Sequence, residues 1–121
     1  MSPEDRNPER RQYPRVAAPM YCRPARRRLM RRRKVVDVSL GGMRVYSDDD
    51  YDVGKRLEVD LLSAEGNDFV TCLTEVVWIR PIPSGTPARF DVGLRFLDVP
   101  PRAHAMIQAI VDAAAPDPDE D

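Results

Sequence analysis

The chain has 121 residues and a formal net charge of −1, a length typical of one domain with a single modest core. No apolar run is long enough to span a membrane, and the N-terminus lacks the apolar stretch of a signal peptide, so we expect a cytoplasmic protein. The two cysteines are isolated and there is one histidine. This composition argues against a zinc site, and we expect neither a metal nor a cofactor.

Charge is distributed unevenly along the chain. Residues 1–34 contain twelve Arg and Lys against three Asp and Glu, whereas residues 35–121 contain seven against seventeen. A basic N-terminal segment on an acidic body indicates an anionic partner for that segment. Residues 1–8 and 116–121 are polar and contain prolines, so we expect both to be disordered. The remaining segment, 9–115, is the predicted domain.

Period-2 alternation and turn residues predict six short strands followed by one helix. The predicted strands are 16–22, 29–38, 43–46, 57–61, 70–79 and 90–96. In strand 70–79 we expect Trp78 to face inward with Val70, Cys72, Thr74 and Val76. A helix is predicted to begin at the prolines 100–101 and to carry one apolar stripe. The predicted class is all-β with one C-terminal helix, arranged as a small antiparallel barrel capped by that helix.

Two short motifs carry the chemistry of the chain. Arg11-Gln-Tyr-Pro-Arg15 places two guanidiniums on a proline-stiffened segment, and Asp37-Val-Ser39-Leu-Gly41-Gly42 places a carboxylate and a hydroxyl before a glycine turn. Forked donors suit the O6 and N7 edge of guanine, cations suit phosphate, and a carboxylate accepts from the N1 and N2 donors. The pair therefore predicts a guanine-nucleotide site.

These motifs resemble the RxxxR and (D/N)xSxxG motifs of the PilZ domain family, bacterial receptors for cyclic di-GMP. The resemblance covers about residues 10–112 and implies a six-stranded antiparallel barrel with a C-terminal helix. It implies that Arg11 and Arg15 clasp the ligand, that Asp37 accepts from guanine, and that Ser39 bonds guanine or phosphate. Gly42, in the Gly41-Gly42 turn, would let the ligand approach without a Cβ clash.

Arg10, just before the RxxxR motif, is associated in this family with an intercalated ligand dimer, two molecules per protein. Strand alternation would turn Val36, Val38 and Leu40 inward and leave Asp37 and Ser39 on the outer surface. The ligand-binding set inferred from the resemblance is therefore Arg10, Arg11, Arg15, Asp37, Ser39, Gly41 and Gly42.

We expect a receptor without catalysis, because the sequence offers no nucleophile–base pair, metal set or catalytic carboxylate pair. Ligand binding would order the N-terminal arm, and output would pass to a protein effector in trans. Two alternatives stay open. One is a degenerate PilZ-like interaction protein that binds no nucleotide. The other is a binder of anionic polymers or nucleic acid through the basic run 26–34, although no recognised nucleic-acid-binding motif accompanies that run.

Overall fold

A computed structural model describes residues 16–17, 19–25, 32–63 and 68–114 of the chain. These ranges contain seven strands and one helix, in the order β1 (Val16–Ala17), β2 (Met20–Pro24), β3 (Arg33–Val38), β4 (Gly42–Ser47), β5 (Arg56–Ser63), β6 (Phe69–Pro81), β7 (Phe90–Asp98) and α1 (Pro101–Ala114). The terminal segments 1–8 and 116–121, predicted to be disordered, lie outside the described residues.

The strands close into a six-stranded antiparallel barrel. Strands β1 and β2 both pair with β3, and the sheet continues through β4, β7, β6 and β5 back to β2. Because β1 and β2 together occupy one position in the barrel, the predicted fold is confirmed. The predicted first strand is nevertheless interrupted near Pro19, whose backbone has no N–H to donate to a ladder.

The core lies inside the barrel and is closed by α1. Val70, Cys72, Thr74 and Val76 of β6 face inward as predicted, and the Thr74 hydroxyl donates a 2.9 Å hydrogen bond to the Leu57 carbonyl. The helix buries a stripe of three side chains, Ala103, Ile107 and Val111. It contacts β1 and β6. Among the described residues, no helix is long and apolar enough to cross a membrane.

Two bulges change which side chains face the core. In β3, Val35 pairs with Val45 and Asp37 pairs with Arg44, so β3 has one residue more than β4 over this interval. Val35 and Val38 are fully buried, whereas Val36 is only partly buried. The predicted inward orientation was therefore right for Val38 and wrong for Val36, because the extra residue of a bulge interrupts the alternation.

The second bulge is in β6, between Val76 and Trp78. Val76 is fully buried and Val77 is 41% exposed. Trp78 pairs with Gly93, between the inward-facing Val92 and Leu94, and so shares the outer face of the sheet with Gly93. The prediction that Trp78 faces the core was therefore wrong.

Candidate functional site

The turn after β3 is held by Ser39. Its backbone N–H donates to the Gly42 carbonyl over 2.8 Å, and its hydroxyl accepts from the Gly41 N–H over 3.2 Å. The same hydroxyl lies 3.4 Å from the Gly42 carbonyl, to which it can donate. Ser39 is only 5% exposed. The prediction that Ser39 faces outward with Asp37 was wrong, because β3 ends at Val38 and the strand alternation ends with it.

Gly42 begins β4 against the backbone of β7. A Cβ at this position would lie 2.3 Å from the Leu94 carbonyl oxygen, a distance that no side chain tolerates. The neighbouring Gly41 is joined to the same strand, because its carbonyl accepts a 3.0 Å hydrogen bond from the Phe96 N–H. Contact with β7 therefore requires glycine at position 42, a reason different from the ligand access inferred from the sequence.

Asp37 lies in a network with an arginine and a second carboxylate on the outer face of the barrel. Arg44 is its cross-strand partner, and Arg44 Nη1 lies 3.8 Å from Asp37 Oδ2. Arg44 also binds Asp91 bidentately, with Nε–Oδ1 and Nη2–Oδ2 distances of 2.8 and 2.9 Å. The hydrogen bond to Asp91 raises the pKa of Arg44 above its ordinary value. The guanidinium is therefore a permanent cation between two acidic groups.

The sequence analysis did not identify Arg44 and Asp91. They are 47 residues apart in the chain, and their contact depends on the pairing of β4 with β7. Gly93 lies opposite Arg44, and Asp91 lies opposite Tyr46, so the ion pair is a diagonal one. The alternation in each strand gave the only available signal, since it places Arg44 and Asp91 outside the barrel.

The first residue after the RxxxR motif lies beside this network. Val16 pairs with Val38, and Ala17 pairs with Asp37. Arg10, Arg11 and Arg15 lie outside the described residues, but Arg15 is joined to Val16 by one peptide bond. The structure thus brings Asp37, Ser39, Gly41 and Gly42 to one end of the barrel, where Val16, the residue after Arg15, also lies.

Further polar and aromatic groups continue this outer face across β7 and β6. Trp78 covers Gly93 so closely that a Cβ there would lie 2.2 Å from the indole Nε1. The Arg80 guanidinium is stacked 4.3 Å from the centre of the Trp78 ring. Arg95 forms an ion pair with Glu75. The face therefore contains an aromatic surface and several charges beside the turn.

Two of the three described residues of the basic run contact other residues on the surface of the barrel. Arg33 forms an ion pair with Asp48, and the Arg32 guanidinium lies 4.8 Å from the centre of the Tyr21 ring. Lys34 is exposed on β3. Residues 26–31 lie outside the described structure. At least Arg32 and Arg33 therefore have a structural role that the sequence analysis did not assign.

A separate cavity of about 150 Å³ lies at the other end of the barrel. Its lining includes Cys22, Val45, Leu57 and Tyr51, with Arg33 and Asp48 among its charged groups. Burial raises the pKa of the Cys22 thiol to about 12, although Arg33 acts in the opposite direction. None of the motif residues from Asp37 to Gly42 lines this cavity, so it is distinct from the candidate site.

The fold of the chain is similar to the folds of several solved structures. Escherichia coli YcgR in complex with c-di-GMP matches with a TM-score of 0.62 and 22% identity, over 86% of this chain and 45% of that one. The c-di-GMP-bound PilZ domain of YcgR matches with a TM-score of 0.60 and 22% identity, over 87% of this chain and 91% of that one.

The Bacillus subtilis inhibitor of motility, MotI or DgrA, gives a TM-score of 0.64 and 19% identity, over 87% of this chain and 49% of that one. The chain thus spans about half the length of YcgR and of MotI. No curated protein matches its sequence. A family model for the PilZ domain matches residues 9–113. The chain therefore belongs to the PilZ domain family.

Proposed function

We propose that the chain is a receptor for cyclic di-GMP, bound outside the barrel by Arg11, Arg15 and the turn from Asp37 to Gly42. One observation carries the proposal. The pairing of Val16 with Val38 brings the residue that follows Arg15 to the strand that carries Asp37, which supports one site shared by the two motifs. The complexes of YcgR with c-di-GMP support the same ligand for a related fold.

Each group has a distinct role in this proposal. Arg11 and Arg15 bind guanine edges and phosphates, because a planar guanidinium donates bidentately and also stacks on a purine. Asp37, whose side chain is 21% exposed, accepts from the N1 and N2 donors of one guanine. Ser39, Gly41 and Gly42 form the turn against which the ligand rests, with Ser39 fixing its shape.

Calorimetric titration with cyclic di-GMP tests the proposal. We expect the wild-type protein to bind and Arg11→Ala or Arg15→Ala to weaken binding by about a hundredfold or more, since each removes charge-assisted hydrogen bonds to an anionic ligand. Arg56→Ala is a matched control, because Arg56 is exposed at the start of β5. Wild-type affinity in either motif variant would contradict the proposal, and no binding by the wild type would favour the degenerate alternative.

The same titration measures stoichiometry. We propose that Arg10 supports an intercalated ligand dimer, so the wild type should bind two molecules per chain and Arg10→Ala should bind one. A guanidinium adds five donors to the site, enough to contact a second nucleotide. A wild-type stoichiometry of one would remove this part of the proposal and leave the receptor function intact.

We also propose that binding orders the N-terminal arm and that the signal passes to a protein effector in trans within the cytoplasm. Hydrogen exchange of peptides from residues 1–15 should slow on addition of cyclic di-GMP, and unchanged exchange at saturation would contradict the ordering. The receptor acts without catalysis, so the ligand should be recovered chemically intact after prolonged incubation. A hydrolysis product formed by the wild type and not by Arg11→Ala would contradict this.

A further inference from the structure

Arg44 contacts its two carboxylates very differently. Its two hydrogen bonds to Asp91 are 2.8 and 2.9 Å long, with the forked geometry of a strong arginine–carboxylate pair. Its distance to Asp37 is 3.8 Å, which is longer than a hydrogen bond. Arg44 therefore acts on Asp37 through its charge, whereas it is fixed in place by Asp91.

The backbone by itself favours the opposite arrangement. Asp37 is directly opposite Arg44 across the β3–β4 ladder, whereas Asp91 is opposite Tyr46 and reaches Arg44 along a diagonal. Directly opposite side chains have Cβ atoms about 4.5–5.5 Å apart, well within the reach of an arginine. An Arg44 released by Asp91 is therefore able to turn toward Asp37 and form a bidentate bridge with it.

Such a bridge matters because guanine would need the same atoms. A bidentate arginine occupies both carboxylate oxygens of its partner. The N1–H and N2–H groups of guanine form a similar pair of donors and would compete for them. A network that keeps Arg44 3.8 Å from Asp37 prevents that competition.

We propose that Asp91 is a positioning residue that holds Arg44 away from a close bridge with Asp37, and thereby sets the preference of the site for guanine. The inference rests on the proposed function, since it concerns how that site recognises its ligand. The Asp91 side chain is 16% exposed and lies on β7. In this proposal Asp91 acts on the ligand only through the position of Arg44.

The preference for guanine is measured by comparing cyclic di-GMP with cyclic di-inosine monophosphate, which lacks the N2 amine and has the same phosphates. The affinity ratio isolates the hydrogen bond from N2, because general charge effects act equally on both ligands. We expect the wild type to prefer cyclic di-GMP about tenfold, as one charge-assisted hydrogen bond predicts. Asp91→Asn should reduce this preference to about twofold, since Arg44 then competes with the amine.

A double-mutant cycle separates positioning from a structural effect. In an Arg44→Met background the Arg44 guanidinium is absent, so adding Asp91→Asn should leave the guanine preference unchanged. Asp48→Asn is the matched control, because it removes the carboxylate of the Arg33–Asp48 pair and the same unit of charge. Asp48 lines the cavity at the other end of the barrel, and its loss should not change the ratio.

The outcomes distinguish the two proposals. A wild-type protein that binds neither nucleotide overturns both the receptor function and this inference. Binding with an unchanged ratio in Asp91→Asn overturns the inference alone. The same holds if Asp91→Asn lowers the ratio equally in the Arg44→Met background, or if Asp48→Asn lowers it as much. Thermal unfolding of each variant checks that the ratios come from folded protein.

Discussion

Two arginine–aspartate networks lie on the outside of this barrel, and they differ mainly in burial. On the β2–β5–β6 side, Asp60 is 0% exposed and bonds to Arg23 Nε at 3.2 Å and to the Thr71 hydroxyl at 2.8 Å. On the β3–β4–β7 side, Asp37 and Arg44 are 21% and 36% exposed. Both networks pair aspartate with arginine. The Asp60 network is closed to solvent, whereas the Asp37–Arg44 network is open to it.

This difference in burial indicates that the two faces have different roles. A fully buried carboxylate must keep its partners, because an unpaired charge in such a place costs several kcal/mol. A partly exposed network is screened by solvent, so its contribution to stability is small and its charges remain within reach of a ligand. We therefore expect the Asp60 face to stabilise the fold and the Asp37 face to recognise the nucleotide.

The largest expected effect is that of Asp60→Ala on stability. Removing the carboxylate leaves the guanidinium of Arg23, which is 15% exposed, without its buried partner, and should cost about 3–5 kcal/mol. Urea unfolding measures the loss. Affinity for cyclic di-GMP, corrected for the folded fraction, should stay at the wild-type value. A loss of unfolding free energy below about 1 kcal/mol, or a loss of affinity beyond that explained by the folded fraction, would contradict the role assigned to the Asp60 face.

Gly42→Ala should have the next largest effect. The added methyl group meets the Leu94 carbonyl, and β4 must move from β7 at a cost of roughly 1–3 kcal/mol. Since the turn from Ser39 moves with β4, affinity for the nucleotide should fall as well. The measurements are urea unfolding and calorimetric titration. Unchanged stability with lost binding would show that ligand access, rather than strand contact, requires this glycine.

Asp37→Ala should separate stability from nucleotide affinity most clearly. We expect the free energy of unfolding to change by less than about 1 kcal/mol, as for a solvent-screened ion pair. Affinity for cyclic di-GMP should fall about tenfold through the lost charge-assisted hydrogen bonds. This loss should be smaller than those of Arg11→Ala and Arg15→Ala, because Asp37 supplies no countercharge to the phosphates. A stability loss equal to that of Asp60→Ala would contradict the assigned roles.

The smallest expected effect is on stability at alkaline pH. It arises from Cys22 on β2, the strand that also carries Arg23. Burial raises the pKa of Cys22 from 9.0 to about 12, so the folded state favours the neutral thiol. Its contribution to stability is complete below pH 9 and is lost as pH rises toward 12. The urea midpoint should therefore fall more steeply between pH 9 and 11 in the wild type than in Cys22→Ala. Parallel slopes would show that Cys22 does not contribute.

The strands were predictable from sequence because alternation is a local property. The inward residues from Val70 to Val76 and the helix from Pro101 follow directly from it. The outward position of Trp78 was not predictable, since a bulge adds one residue without a local signature and reverses the face of those that follow. The burial of Ser39 was missed for a related reason, because alternation cannot indicate where a strand ends.

The candidate site was only partly predictable. The motif chemistry identified Asp37 and the glycine turn, and the pairing of Val16 with Val38 places the segment after Arg15 beside them. Arg44 and Asp91 were not identified, because a contact across 47 residues depends on strand register. Register is set by the whole barrel, whereas a motif is read from a few neighbouring residues.

Strand β1 has a consequence for the C-terminal helix. Val16 and Ala17 of β1 pair with β3 beside Asp37, and β1 also contacts α1. Strand β1 thus joins the strand that carries Asp37 to the helix that closes the barrel. A change in the position of β1 would therefore be felt at both β3 and α1.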